Sequence, residues 1–199
     1  LPSWIGRLTS LRTLSLYHNR ITSLPDALWA LADLQTLNVA DNELVALAEG
    51  IGNLVNLRML DLGHNRLGAV PDALGALTSL EFLYLSNNEL TALPSSLGDL
   101  THLRYLNATD NQLTELPARI GDLSRLAELR LYNNRIAALP DRVGDLTDLR
   151  ELHLMHNQLA TLPAAVGRLA RLKKLDLQDN PLEHLPDEVG NLAALTDLN

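Results

Sequence analysis

The side chains in this sequence that are best suited to catalysis or metal binding are histidines and aspartates that share one position of a 23-residue pattern. Imidazole and carboxylate groups ligate zinc and act in general acid–base catalysis. Members of this position are separated by whole repeats, so we do not expect several of them to converge on one ion or substrate. No Ser-His-Asp arrangement, carboxylate pair or glycine-rich phosphate loop falls on converging elements. We therefore predict no catalytic residue, no metal site and no cofactor. The set comprises His18, Asp41, His64, Asp110, His156 and Asp179.

A second group of side chains has the chemistry of recognition. Aromatic and arginine anchors ringed by polar groups are the usual composition of an interface centre. The alternative is that aromatic residues simply suit strands and pack against cross-strand neighbours. Because leucine already supplies the core, we favour a partner-binding surface. Its predicted members are Met59, Phe82, Tyr84, Tyr105, Asn107, Arg130, Tyr132, His153 and Met155.

An internal repeat must position these residues. The first leucine of the pattern recurs every 23 residues from Leu11 to Leu195, without an insertion. The chain divides into a partial repeat (1–10), eight complete repeats (11–194) and a second partial repeat (195–199). We predict a single domain over residues 1–199. Because both ends fall within a repeat, we also expect a fragment of a longer protein, or self-association through uncapped ends.

Each repeat has two parts with different periodicities. In the first, leucines such as Leu149, Leu152 and Leu154 alternate with other residues, which predicts a short strand. In the second, residues 162–169 space their apolar side chains three and four apart behind Pro163, which predicts a short helical turn. No repeat can bury its leucines alone, so neighbouring repeats must stack.

One asparagine recurs in every complete repeat. The chain turns inward at this position and leaves backbone groups without a strand partner, which a buried amide can satisfy. Eight copies cannot all be active sites, so we interpret them as a structural ladder. Its members are Asn19, Asn42, Asn65, Asn88, Asn111, Asn134, Asn157 and Asn180.

A glycine also recurs, at the turn of the second part, where close packing or unusual dihedral angles favour it. Trp29 replaces this glycine in one repeat, and Ala48 replaces the recurring proline in the next. The two departures are adjacent, so we predict a local change of the outer surface there.

The recurring template L-x-x-L-x-L-x-x-N-x-L-x-x-L-P-x-x-I-G-x-L-x-x resembles the leucine-rich repeat family, over essentially the whole chain. Its second half, as in residues 116–123, is similar to the intracellular Ras-suppressor type and its bacterial relatives. The resemblance implies an α/β repeat solenoid, a curved horseshoe segment with a concave parallel β-sheet and short helical turns on the convex side. It also implies protein recognition, usually on the concave face, and no enzymatic activity.

The charge distribution favours a protein partner. Template positions two to ten, which would form the concave face, hold 10 basic and 11 acidic residues, against 6 and 13 in the remainder. A phosphate backbone would require a basic face, so we predict no nucleic-acid partner. Oppositely charged residues alternate down the tenth position and predict a surface ion-pair ladder. This ladder comprises Arg20, Glu43, Arg66 and Glu89.

The amino-acid composition indicates the cellular compartment but does not exclude alternative functions. The chain has no cysteine, which favours a reducing compartment, and no apolar run long enough to insert into a membrane. We expect a cytoplasmic protein, or one exported into a host cytoplasm as a bacterial effector. The alternatives are a structural spacer within a larger enzyme, such as a kinase or ubiquitin ligase, and a carbohydrate receptor.

Overall fold

The computed structural model describes residues 1–199 as one stack of repeats. Nine parallel strands lie side by side in chain order and form a single open, curved sheet. The strands are β1 (Thr13–Ser15), β2 (Thr36–Asn38), β3 (Met59–Asp61), β4 (Phe82–Tyr84), β5 (Tyr105–Asn107), β6 (Glu128–Arg130), β7 (Glu151–His153), β8 (Lys174–Asp176) and β9 (Asp197–Leu198). The predicted α/β solenoid with a concave parallel sheet is confirmed.

A short helical turn precedes each strand on the convex side. The turns are Ser3–Arg7, Asp26–Ala30, Glu49–Asn53, Asp72–Ala76, Ser95–Asp99, Ala118–Asp122, Asp141–Asp145, Ala164–Arg168 and Asp187–Asn191. All nine are 3₁₀ helices of five residues. None is long and apolar enough to cross a bilayer.

The recurring proline lies just outside each turn rather than in its first residue. Pro94 is extended (φ −67°, ψ 149°), and its carbonyl oxygen accepts the amide of Leu97 at 3.1 Å. A bond between residues three apart is the 3₁₀ pattern. The proline thus sets the direction in which the chain enters the turn.

One leucine-lined core runs through the stack from Ile5 to Leu192. Within each complete inner strand the middle residue is buried, as Leu83 is, whereas Phe82 and Tyr84 on either side of it face outward. This alternation separates the residues that hold the repeats together from those that are free to meet a partner.

Close packing explains the recurring glycine. No glycine in the chain has a positive φ, so unusual dihedral angles are not the reason. A Cβ added at Gly121 would lie 2.3 Å from the carbonyl oxygen of Arg142 in the next repeat. Only a residue without a side chain lets the convex turns approach so closely.

The predicted local change of the convex surface involves Trp29 and Gly50. Trp29 is buried, with 7% of its surface exposed, and it occupies the place of the recurring glycine. A Cβ added at Gly50 would lie 2.1 Å from Trp29 Cδ1. The corresponding residue of the following repeat is Ala73, which has a side chain. Gly50 has none, and this leaves room for the indole of Trp29.

Candidate functional site

Strand register brings the predicted recognition residues together in two rows on the concave face. In the first row Met59 pairs with Phe82, and Phe82 pairs with Tyr105. In the second row Tyr84 lies between Asp61 and Asn107, and Asn107 pairs with Arg130. Neighbouring parallel strands lie about 4.8 Å apart, so these side chains form one continuous surface across four strands. We call Met59, Phe82, Tyr84, Tyr105 and Arg130 the aromatic patch.

The side chain of Tyr105 contacts two other members of the aromatic patch, Tyr84 and Arg130. The rings of Tyr84 and Tyr105 have centroids 5.0 Å apart and planes tilted by 40°. Arg130 places its guanidinium carbon 5.7 Å from the centroid of the Tyr105 ring, within the range of a cation–π contact. Phe82 keeps 37% of its surface exposed. Tyr84, Tyr105 and Arg130 are therefore held against one another without a partner.

The protonation states in and beside the patch follow from partial burial. Burial raises the pKa of the Tyr84 hydroxyl, and the charge of Asp61 raises it further. Burial also raises the pKa of Tyr105 and outweighs the opposing effect of Arg130. Both hydroxyls are thus neutral at physiological pH and can donate a hydrogen bond.

Asp61 lies at the edge of the patch. Its carboxyl accepts a hydrogen bond from the backbone N–H of Gly63, 3.0 Å away, which lowers its pKa. Burial raises the pKa by more, so the pKa of Asp61 lies above its ordinary value. Burial by itself lowers the pKa of Arg130, but its hydrogen bond to Glu128 and nearby tyrosines raise it overall. The patch therefore presents a firmly charged arginine beside neutral phenols.

The remaining predicted residues lie at the margin of the patch. Tyr132 and Met155 are half-buried. Asn107 uses its Oδ1 to accept the backbone N–H of Thr109, at 3.1 Å. His153 lies largely below the surface, with 8% of it exposed, and its Nε2 is 3.0 Å from Glu151 Oε2. His153 can therefore offer a partner much less surface than the aromatic residues can.

Sequence reasoning left Glu128 and Glu151 out of the site. Their carboxylates lie within 4.8 Å of each other and of a ring nitrogen of His153, so these three residues could hold a metal ion. Each carboxylate is already engaged, Glu128 by Arg130 and Glu151 by His153. We interpret them as the acidic margin of the aromatic patch. Their place in the row that contains Tyr105 could have identified them.

The position shared by histidine, aspartate and asparagine has a backbone explanation. All eight of its residues adopt a left-handed conformation, with φ between 51° and 57°. Asparagine, aspartate and histidine are several-fold enriched in this region. Neighbours do meet in pairs: His156 Nε2 lies 3.4 Å from Asp179, and Asn133 Nδ2 donates to Asp110 at 2.6 Å. The left-handed residues are His18, Asp41, His64, Asn87, Asp110, Asn133, His156 and Asp179.

Comparison with known families and structures gives a consistent result. A family model described as a leucine-rich repeat region matches residues 1–93 and 92–158, and a second, described as a leucine rich repeat, matches residues 171–192. No curated protein matches the chain. A leucine-rich repeat protein from Leptospira interrogans is 35% identical over 100% of this chain and 57% of its own, with a TM-score of 0.77.

Two plant receptors are also similar. The ectodomain of the Arabidopsis thaliana receptor kinase GASSHO1/SCHENGEN3, solved in complex with CASPARIAN STRIP INTEGRITY FACTOR 2, is 34% identical over 100% of this chain and 25% of its own (TM-score 0.88). The Arabidopsis receptor kinase HAESA, solved with a peptide hormone and a co-receptor, is 30% identical over 98% of this chain and 35% of its own (TM-score 0.84). The chain thus spans less than two thirds of the length of each of these three structures.

Proposed function

Because the chain belongs to the leucine-rich repeat family, we propose that it is a non-enzymatic module that binds a protein partner through its concave face. The observation that carries the proposal is the aromatic patch. Aromatic side chains are not required there, because the core is already filled with leucine. Tyr105 in contact with Tyr84 and Arg130, together with the exposed Phe82, matches the composition of interface hot spots.

Two further observations support a protein as the partner. Of the plant receptors that resemble the chain, one was solved with CASPARIAN STRIP INTEGRITY FACTOR 2 and the other with a peptide hormone and a co-receptor. The concave face also carries nearly balanced charges, with Arg130 and Glu128 side by side at the margin of the patch. A mixed-sign surface offers complementarity to a protein that has its own charge pattern.

The experiment begins with capture of partners on the immobilised wild-type chain and on a Phe82/Tyr84/Tyr105 triple alanine variant. A protein retained only by the wild type is then purified and its Kd measured. Phe82→Ala and Tyr105→Ala should each weaken binding at least about tenfold, since hot-spot truncations cost about 2 kcal/mol or more. Circular dichroism should show an unchanged fold.

Val45→Ala is the matched control for this experiment. Val45 has 62% of its surface exposed, but it lies outside the concave face, so its truncation should leave affinity unchanged. Equal affinity of the wild type and both single aromatic variants would remove the aromatic patch as the binding site and would favour the role of a structural spacer.

We further propose that the module is the recognition part of a signalling protein or a bacterial effector that works in a cytoplasm. The absence of cysteine supports a reducing compartment. Cell fractionation of the tagged protein tests the location, and recovery outside the cytoplasm would contradict it.

A further inference from the structure

A separate feature lies at the edge of the sheet where the strands begin. Ala127 immediately precedes β6, between Arg104, which precedes β5, and Arg150, which precedes β7. In the other complete repeats this position holds a long side chain, as in Arg58 and Glu81. The short side chain of Ala127 therefore interrupts a row of long ones.

The interruption opens a cavity of about 480 Å³, which we call the arginine notch. Three of its lining residues are arginines, and no other cavity in the structure has as many. The notch is lined by Glu81, His102, Arg104, Arg125, Ala127, Asp148 and Arg150.

The two carboxylates of the notch are already engaged by arginines. Glu81 lies 3.3 Å from Arg58 and 3.8 Å from Arg104. Asp148 is paired with Arg171. Glu81 thus compensates Arg104, whereas neither carboxylate is paired with Arg125 or Arg150.

Arg125 and Arg150 form no ion pair within the chain, because neither guanidinium group lies within 4.0 Å of a carboxylate. Glu81 and Asp148 pair with other arginines instead. The chain as a whole has a net charge of −8, so this local excess of positive charge runs against the overall balance. Like charges that share a concave site repel one another, and an anion bound between them would relieve the repulsion.

We propose that the arginine notch binds a phosphate monoester. The guanidinium group presents a fork of N–H donors that matches phosphate oxygens, and such bonds are stronger than those between neutral groups. A phosphate monoester carries a charge of about −1.5 to −2 at pH 7, whereas a single carboxylate carries only one negative charge. It is thus the better match for two unpaired arginines. The ester is carried by a phosphorylated protein side chain or by a small molecule.

The notch lies where the strands begin and shares no residue with the aromatic patch, so the proposal does not depend on that patch. Its test uses the ¹⁵N-labelled full chain and follows the backbone amides of Arg104, Arg125 and Arg150. The probes are phenyl phosphate and a phosphoserine peptide, each titrated at constant ionic strength against its unphosphorylated counterpart.

We expect saturable shifts of these three amides with a phosphorylated probe and none with its counterpart. Arg125→Gln and Arg150→Gln should each weaken binding about tenfold, which is the loss of one charge-assisted hydrogen bond. Ala127→Glu should abolish binding, because it places a carboxylate among the arginines. The fold should tolerate this change, since Glu81 occupies the same position in another repeat.

Arg135→Gln is the matched control, because Arg135 is an exposed arginine of the same repeat outside the notch. It should bind both probes as the wild type does. Preference for the phosphopeptide identifies a protein side chain as the source of the phosphate, and preference for phenyl phosphate identifies a small molecule. The proposal is overturned if no probe gives saturable shifts, or if Ala127→Glu and both arginine variants bind like the wild type.

Discussion

The amide of Asn88 joins two repeats through four hydrogen bonds. Its Nδ2 donates to the carbonyl oxygens of Leu62, Leu85 and Ser86, at 3.0, 3.1 and 3.3 Å. Its Oδ1 accepts the backbone N–H of Leu67, at 2.9 Å. Asn88 is buried, so its removal would leave the backbone N–H of Leu67 without a partner and without access to water. The three carbonyl oxygens would keep the bonds that they accept from Asn65, Asn111 and the backbone N–H of His64.

Asn88→Ala should therefore lower the free energy of unfolding by about 1–3 kcal/mol, which is the cost of one unsatisfied buried group. Asn19→Ala provides the matched comparison. Asn19 is exposed and makes only two such bonds, to Leu16 and Tyr17, so we expect a loss below about 1 kcal/mol. Equilibrium unfolding in urea measures both. Equal losses would contradict a special role for the buried amide.

The repeat spacing predicted which side chains lie side by side on the concave face, whereas residue identity did not explain the polar position at the strand ends. A spacing of 23 residues places Phe82 beside Tyr105 without any knowledge of the coordinates. Histidine and asparagine, in contrast, are suited both to ligand chemistry and to left-handed backbone. Only the dihedral angles, such as φ 51° at His64, show which property the position uses.

At the scale of elements, two convex turns depart together from the template. Trp29 in Asp26–Ala30 occupies the space that a side chain at residue 50 in Glu49–Asn53 would need. The buried indole adds apolar contact, whereas its Nε1 has no hydrogen-bond partner. The two residues should therefore be energetically coupled.

A double-mutant cycle tests this coupling. Gly50→Ala alone should destabilise the protein by about 1–3 kcal/mol, because the new methyl group overlaps the indole. Trp29→Gly alone should cost about 3–5 kcal/mol through the cavity that it leaves. In the Trp29→Gly background, Gly50→Ala should cost almost nothing, since the obstruction is gone. Free energies from urea unfolding that simply add would show that the two residues are independent.

The sequence predicted where the turns lie better than their geometry. Apolar residues three and four apart, as in residues 162–169, fit an α-helix and a 3₁₀ helix equally well. The choice is made by the space left between stacked repeats, where Gly121 meets the backbone of Arg142. That approach depends on neighbouring elements and is not encoded in the spacing of a single turn.

At the scale of the whole molecule, a chain of ion pairs runs along the convex surface over four repeats. Its distances are 2.7 Å for Arg119–Asp99, 2.9 Å for Arg119–Asp122, 2.7 Å for Arg142–Asp122, 3.1 Å for Arg142–Asp145 and 3.0 Å for Arg168–Asp145. Asp122 lies at its centre and is bound by two arginines. Isolated exposed pairs contribute little, but a network of alternating charges is the more favourable case.

The pKa of Asp122 determines how this network responds to acid. Hydrogen bonds from Arg142 and Arg119 lower it from its ordinary value of 3.8, so the unfolded chain binds a proton more readily than the folded chain does. The resulting stability is fully present at a pH above the ordinary pKa. It is lost as the pH falls through the lower pKa that Asp122 has in the folded state. Asp122→Asn should therefore be less stable than the wild type near neutral pH, by a small amount because the pairs are exposed, and the difference should vanish in acid.

The urea midpoint measured from neutral to acidic pH would show this convergence. Asp33→Asn is the control, because Asp33 is exposed and belongs to none of these ion pairs. Curves for Asp122→Asn and the wild type that stay parallel down to the lowest pH would contradict the assignment.

The predicted ion-pair ladder forms only in part. The tenth position was expected to carry it, yet only Arg66 and Glu43 come within 4.0 Å there, at 3.6 Å. The convex network instead connects different template positions of successive turns, such as Arg142 with Asp122 and Asp145. Alignment in columns cannot reveal diagonal contacts, which depend on how one turn is offset from the next.

The uniform strand register also fixes the spacing of the residues that a ligand crossing the concave face would contact. Strands are about 4.8 Å apart, whereas an extended peptide advances about 3.3 Å per residue, so two repeats span about three residues of such a segment. Side chains of an extended peptide alternate between two faces, so only every second residue of a peptide lying across β3 to β6 would meet the concave face. Sequence selectivity along it should then show a period of two, which would distinguish an extended ligand from a folded one.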